Sequence, residues 1–463
     1  MCVRLQISHG FRAYMPLLTN AVVPLREERF AFLRGYPMRH MSFGLAVVAG
    51  AAITFAAEDA AASGFMVREN SAESLSTIYA GNGSRADDVA TVFNNPAGMS
   101  ELRGTQIEGG LAVVFPNMHF SGTATAGPTT IPSSNDRSVG QVTGIPHLYG
   151  VMDLTDRIKL GLAVTVPFGN TVDYSENWPG RYVNIRTAAL SADINPNISF
   201  KVSDKLSIGA GVSAQYLRLA LSSNIAQFLI FGPGTPDGGF VLKADDWGWG
   251  YNFGLLAKLF EDTNIGVTYR SKVSHRLEGS LDFTAATSPF LGQNAPAHAD
   301  VDVPATTSIS ITRQITPDLS LSSDFQFTQW HVFRQVAVVA PPNPTSVFLE
   351  KYRDSWMLSI GGVYRLNDTW SLRSGVGYDQ SPVTDAYRDT GVPDKDRVMI
   401  GVGAGYKLSD AISLDLGYAH YFSTGHATMD HSVNATDPNT GVVLHGSYNN
   451  ALDYIAITLR GQL

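Results

Sequence analysis

The 463-residue chain has one cysteine, few charges and almost no long apolar runs. A single cysteine rules out an internal disulfide framework. Asp, Glu, Lys and Arg make up 16% of residues, where a soluble protein carries about 25%. Basic excess is missing too: the net charge is −8, which argues against nucleic acid bound on a basic face. A mean hydropathy of zero, without repeated apolar segments of about 20 residues, excludes a bundle of membrane helices. Abundant instead are glycine, with 44 residues, and aromatics, at 10%. Few charges with many glycines and aromatics fit a transmembrane β-barrel.

The one long uncharged stretch is Met41–Ala57. It is short for a spanning helix. Arg39 and His40 precede it, and Ala60, Ala61, Ala62 and Ser63 follow. A basic start, an apolar core and small residues describe an export signal. We read Met38 or Met41 as the start, cleavage near Ala62, and residues 1–37 as an upstream extension. A signal anchor left in place is the alternative, and Glu58 and Asp59 before the cut favour it. Cleavage removes Cys2, six arginines and four acids, taking the net charge from −8 to −10.

Beyond about residue 104 the pattern has period two. Leu358, Ile360, Tyr364 and Leu366 share one face, with Ser359, Gly361 and Arg365 on the other. Val398, Ile400 and Val402 alternate with glycines, and Leu414, Leu416, Tyr418 and Phe422 continue the theme. Ile455, Ile457 and Leu459 keep it to the end. Such alternation gives each strand one apolar face. A short turn recurs at Asp156, Asp204, Asp262, Asp318, Asp368 and Asp410, for example in LTDRIKL, VSDKLSI and LSDAISL. Asp, Asn and Ser make tight turns by bonding nearby backbone. Seven longer stretches, roughly 116–144, 168–188, 219–246, 272–302, 331–352, 380–395 and 423–449, lie between. Six short and seven long connections imply 14 strands, here expected at 10–13 residues each. The expected fold is all-β: a 14-stranded antiparallel transmembrane β-barrel with short turns at one rim and long loops at the other. Closure is required because unpaired edges cannot face lipid. A large soluble sandwich or propeller explains none of the rim asymmetry. Tyr149, Tyr182, Trp247, Trp249, Tyr251, Tyr269, Trp330, Tyr352, Trp356, Trp370 and Tyr378 suit interfacial girdles.

Residues 63–104 break the pattern. Ser71–Tyr79 and Ala86–Phe93 read as short helical turns, and Asn94–Gly98 as a turn cluster. A barrel this wide leaks if empty, so the segment is expected to fold into the lumen as a plug, with the barrel over 105–463.

Four stretches carry a family resemblance. They are SGF…AESLSTIYAGNGSRADDVATVFNNPAGM, with Asn95-Pro96-Ala97; Trp178–Tyr182 with Asn195-Pro196-Asn197; Trp247–Asn252 with Gly266–Ser271; and Asp379–Val383 with Val392–Arg397. In these the chain resembles the FadL family of outer-membrane transporters of long-chain fatty acids, which includes the TodX-type hydrocarbon channels. The similarity spans about residues 63–463. It implies a 14-stranded barrel with an N-terminal hatch, outer-membrane location in a Gram-negative cell, and passive uptake of a hydrophobic molecule.

A fatty acid needs an apolar pocket with a cation at one end, and Arg suits a carboxylate. The resemblance points to Arg397 as head-group ligand, with an ion pair to Asp394 or Asp396 as the structural reading. Arg181 is a second candidate, or else bonds loop carbonyls. Loop 219–246 holds Leu221, Ile225, Phe228, Leu229 and Phe231, odd in a loop that meets only water; the family counterpart is a capture groove. Exit through the barrel wall is implied by the family, and Phe168-Gly169 marks a possible distortion there.

The remaining signals are weak. Gly401-Val402-Gly403-Ala404-Gly405 lies in an alternating strand, not before a helix, so a phosphate role is set aside. His420, His426 and His431 run from strand to loop, and no metal site, catalytic residue or cofactor is expected. The expected partners are a long-chain fatty acid or other hydrophobic molecule, outer-membrane lipid and lipopolysaccharide, with no nucleic acid, in a monomer. The closest alternative is a channel for neutral or aromatic hydrocarbons; a general porin or an outer-membrane lipase is further off.

Overall fold

The structure, a computed structural model, describes residues 64–133, 139–432 and 441–463, with side chains omitted at 430–432. The signal segment, its cleavage position and the His431 side chain lie outside the described residues. Fourteen crossing strands, all paired antiparallel, form a closed ring. They are β1 (Gln106–Ala126), β2 (Thr143–Asp153), β3 (Ile158–Thr165, resuming as Gly169–Asp173), β4 (Arg186–Ser203), β5 (Leu206–Ile225) and β6 (Gly238–Phe260). Next come β7 (Thr263–Arg270, then Val273–Phe283), β8 (Ala295–Val303, then Thr306–Thr316) and β9 (Leu319–Thr328). Then follow β10 (Ser355–Arg365), β11 (Trp370–Asp379), β12 (Arg397–Lys407), β13 (Ile412–Ser423, extended by Ala427–Ser432) and β14 (Val442–Gln462). β1 pairs with both β2 and β14, from Gln106↔Gln462 to Ala126↔Val442, which closes the ring.

All six Asp-centred turns are the short connections, two to four residues long. Five of the seven long connections are shorter than the sequence suggested, because the strands are longer: β5 has 20 residues and β6 has 23, whereas the connections 329–354 and 380–396 slightly exceed the expected stretches. Crossing the bilayer takes about 9–11 residues. The excess pairs as a ribbon above it, where no face meets lipid and the apolar alternation is not needed. Leu219, Leu221 and Phe240 therefore sit in strands, and of the expected apolar loop only Phe228–Phe231 is helical.

The outward face carries the apolar phase. Leu358, Ile360, Val398, Ile400, Val402, Leu416, Ile455, Ile457 and Leu459 are exposed. Trp247, Trp249, Tyr251 and Trp370 are exposed as interfacial aromatics are. Tyr149, Tyr182, Trp330 and Tyr352 are buried instead, which corrects their reading as girdle residues. Tyr149 falls on the lumen phase of β2, and the other three pack under the loops.

Residues 64–104 fill the lumen. The segment holds two short helices, α1 (Ala72–Ser76) and α2 (Thr91–Asn94), and a 3-10 turn over Pro96–Glu101. Ser71 caps α1 by accepting from Ser74 N–H. Leu75, Ile78, Val89 and Val92 are fully buried. Asn95 caps the 3-10 turn, and its side-chain amide donates to Gly83 O (2.6 Å) and Leu255 O (3.1 Å). Asn95-Pro96-Ala97 thus docks the hatch on the wall.

Wall glycines let the two backbones touch. A Cβ at Gly401 would lie 2.6 Å from Leu75 O, and one at Gly375 would collide with Thr77 O. Of the glycine run 401–405, Gly401 and Gly403 thus back onto α1, and Gly405 faces Asp415 and Arg373.

A buried ion cluster anchors the hatch. Glu73 meets Arg373 (3.1 Å) and Arg460 (3.7 Å), and Arg373 also meets Asp415 (2.6 Å). Burial pushes the Glu73 carboxyl up, but Arg460 and Arg373 hold it at about 2. A variant lacking residues 64–101 is expected to pass a large steady current in planar bilayers where the intact protein passes little. Equal conductance from the two would contradict the plug.

Candidate functional site

β3 is broken at Val166-Pro167-Phe168. Thr165 pairs with Asp193 and Gly169 with Leu190, so three residues of β3 face two of β4. Pro167 cannot donate to a ladder. On its other edge β3 pairs with β2 only from Val164 downward, at Leu148↔Val164. Above that point the next contact is the single bridge Gly140↔Val172. Between them the two strands are not paired, and Phe168-Gly169 lies at this edge.

The hatch N-terminus covers this edge. Val67 N–H donates to Pro167 O (2.9 Å), Gly169 N–H donates to Phe65 O (2.8 Å), and Met66 bridges Phe168. The strip is held by side chains as well. Gly64 N–H donates to Asp394 Oδ2 (2.8 Å), and Arg68 pairs with Asp379 (3.1 Å). Glu69 accepts from Tyr79 Oη (2.9 Å) and Tyr421 Oη (3.0 Å).

The strip also separates two cavities. The upper one, about 300 Å³, is lined by Phe65 together with Leu217, Leu219, Leu221, Phe240 and Val336, among others. The lower one, about 110 Å³, is lined by Met66, Val67 and Arg68 and reaches Pro167 and Phe168 at the unpaired edge of β3. Phe65 is wedged against Trp330 (4.9 Å between centroids), Phe333 (5.1 Å) and Phe168 (5.7 Å). Moving residues 65–68 would join the two spaces and expose that edge.

Arg397 is buried and pairs with Asp394 Oδ1 at 2.5 Å. The structural reading of Arg397 is therefore met in this conformation. It lines a recess of about 20 Å³ that shares Val392 with the upper cavity. Asp394 also accepts from Ser381 Oγ (2.7 Å), so one carboxylate ties Arg397, Ser381 and the strip together.

Arg181 lies elsewhere. It bonds Pro132 O (3.2 Å) and Tyr182 Oη (3.0 Å), reaches Asp237 (3.4 Å), and lines neither cavity. The structure uses it to clasp the outer loops. In the expected capture loop, Leu221 lines the upper cavity, Ile225 is fully buried, Phe228 packs inward, and Leu229 and Phe231 are exposed at the surface.

Sequence reasoning missed Arg68, Glu69, Arg270 and Glu350. Arg270 lines the lower cavity, reaches Asp193 (3.4 Å) and donates to Phe93 O (3.0 Å). It was visible in Gly266–Ser271, but nothing in sequence showed that it faces the hatch. Glu350 lines the upper cavity from a small loop hairpin, Gln335–Val338 with Ser346–Leu349.

The family model described as "Outer membrane protein transport protein (OMPP1/FadL/TodX)" matches residues 53–460. The chain is 24% identical over 401 residues to a "Long-chain fatty acid transport protein" of Escherichia coli O6:H1, covering 80% of this chain and 89% of that one. It is 27% identical over 407 residues to a "47 kDa outer membrane protein" of Pasteurella multocida, covering 82% and 90%. Among solved structures, a Pseudomonas aeruginosa FadL homologue superposes with a TM-score of 0.80 at 24% identity, covering 86% of this chain and 99% of that one. The Pseudomonas putida toluene transporter TodX superposes with a TM-score of 0.64 at 19% identity, covering 85% and 98%. These likenesses establish the shared fold.

Asp394→Asn removes the charge beside buried Arg397, a loss of about 3–5 kcal/mol when one partner of such a pair goes. We expect a lower thermal midpoint for barrel unfolding, largely restored in Asp394→Asn/Arg397→Met. An unchanged midpoint in the single variant would contradict the assigned role of the pair.

Proposed function

The chain belongs to the OMPP1/FadL/TodX family of outer-membrane transport proteins, and from that premise we propose that it takes up long-chain fatty acids passively across the outer membrane. The observation that carries this reading is the partition: one short strip divides an apolar cavity from a second cavity at the unpaired edge of β3, and covers that edge itself.

The proposed path runs from the outside inward. The exposed Leu229 and Phe231 take the apolar chain from water, and the tail enters the upper cavity past Leu221. Burial of each methylene gains about 0.8 kcal/mol. The carboxylate reaches Arg397 through the recess beside Val392 and replaces Asp394 as its counter-charge. An Arg–carboxylate pair is strong in a desolvated site. Asp394 then loses its place beside Gly64, and the strip loses one of its holds. Release of Phe65 and Val67 from β3 opens the way to the lower cavity and to the wall. Nothing here consumes energy; the concentration gradient sets the direction, and the protein is not an enzyme. Export by a signal cleaved near Ala62, a monomeric barrel, and contact of its outer band with lipid and lipopolysaccharide complete the proposal.

A second reading is kept on a specific observation: no Lys or Arg lines the upper cavity among the described residues. A neutral or aromatic hydrocarbon needs none, and TodX is named a toluene transporter. The two readings separate on Arg397. In Asp394→Asn/Arg397→Met, oleate affinity is expected to fall at least about tenfold with methyl oleate affinity unchanged. Unchanged oleate affinity would remove Arg397 from the site and favour the neutral ligand.

Movement of the strip is tested by Met66→Cys/Phe168→Cys. The single natural cysteine, Cys2, is far from this pair in sequence. Oxidation is expected to block uptake of labelled oleate, and a reductant to restore it. Uptake at the normal rate by the cross-linked protein would contradict the path.

A further inference from the structure

The upper cavity has a polar side that the fatty-acid path does not use. Asn170, Glu350, Asp389 and Thr390 all line it. They form one neighbourhood: Asn170 donates its side-chain amide to Gly391 O (2.6 Å), next to Asp389 and Thr390. Glu350 lies within electrostatic reach of Asp389. Burial, and then that second carboxylate, push the Glu350 carboxyl well above its ordinary range.

These groups offer more acceptor atoms than the lining offers free donors. Glu350 is 7% exposed, Asn170 1% and Thr390 0%. Glu350 Oε2, Asn170 Oδ1 and Thr390 Oγ1 have no hydrogen-bond partner among the described residues. Asp389 accepts from Val392 N–H (2.8 Å). Against them stand two unpartnered donors on the lining, the Asn184 amide and the Thr390 hydroxyl's own proton, with the Tyr352 hydroxyl beside Glu350. Buried polar atoms that have left water and found no partner are costly, and native proteins keep few of them. A cavity lined by apolar residues and a few such atoms fixes its ligand's orientation through them.

We propose that Glu350, Asn170 and Thr390 form a second polar subsite that takes a hydrogen-bond donor, a hydroxyl or an ammonium, carried on an otherwise apolar ligand. The proposal rests on reading the upper cavity as the transport cavity. It goes beyond that reading because a fatty-acid carboxylate carries no donor for Glu350 Oε2, Asn170 Oδ1 or Thr390 Oγ1. The carboxylate is served by the Arg397 recess, the donor by this patch. A site built to bond a donor rejects the analogue that lacks it.

The test compares three twelve-carbon chains, dodecanol, dodecylammonium and dodecanoate, each displacing a fluorescent apolar probe from nanodisc-embedded protein. Glu350→Met is expected to weaken dodecanol, dodecylammonium or both at least about tenfold, with dodecanoate unchanged or tighter. Loss for dodecylammonium alone assigns the subsite to an ammonium; loss for dodecanol as well assigns it to any donor. Unchanged affinity for both donor-headed chains overturns the subsite. Thr390→Val, which keeps shape and removes the hydroxyl, covers the case in which Glu350→Met does not fold. It is expected to weaken dodecanol about threefold or more, and no change overturns the proposal. Failure of dodecanoate to bind the wild type, with the donor effect intact, would sink the fatty-acid reading and leave the subsite standing.

Discussion

Two backbone hydrogen bonds decide what this barrel is. Val67 to Pro167 and Gly169 to Phe65 join the hatch N-terminus to the broken strand β3. In a lipid-facing wall every amide and carbonyl must find a partner. Where β2 and β3 part, the wall cannot supply those partners, and the hatch does. The same contact therefore seals the wall and divides the lumen. Its other holds are Asp394 at Gly64, Trp330 and Phe333 around Phe65, Asp379 and Gln326 at Arg68, and the Tyr79–Tyr421 pair at Glu69. A closure built from several modest bonds can be undone by a ligand that competes for one of them. That is the link from geometry to transport.

The rest of the hatch is fixed far more firmly. Glycines on β11 and β12 bring the wall backbone against α1, and Glu73 is locked between Arg373 and Arg460. Asn95 bonds both the hatch and β6. The body of the hatch is thus a rigid floor, and the strip at 64–69 is the part free to respond. A plug that moved as a whole would have to break the Glu73 cluster as well, whereas release of the strip breaks the two backbone bonds to β3, the Arg68–Asp379 pair and the packing of Phe65.

Much of the architecture was legible in the sequence, because barrels obey simple rules. Asp-centred turns marked one rim, and long connections the other. The apolar phase on Leu358 and Ile360 predicted their place on the exposed outward face. Strand ends were not legible: Leu219 and Phe240 look like loop residues because a ribbon above the membrane needs no alternation. Tyr149 and Trp330 looked like girdle residues because sequence shows an aromatic near a strand end, not the side it faces. Arg397 and an ion pair with Asp394, three residues away, could be read from the sequence, but that the same carboxylate also holds Gly64, 330 residues away, could not. Glu350 gave no signal at all, since an acid in a loop is ordinary until the loop folds over a cavity.

The central claim is that a ligand in the upper cavity loosens residues 64–68 from β3. Amide hydrogen exchange at Val67 and Gly169, with and without saturating oleate, tests it most directly. The account predicts faster exchange at both amides with oleate and unchanged exchange at Leu75 in the hatch body. Unchanged or slower exchange at Val67 and Gly169 would contradict it.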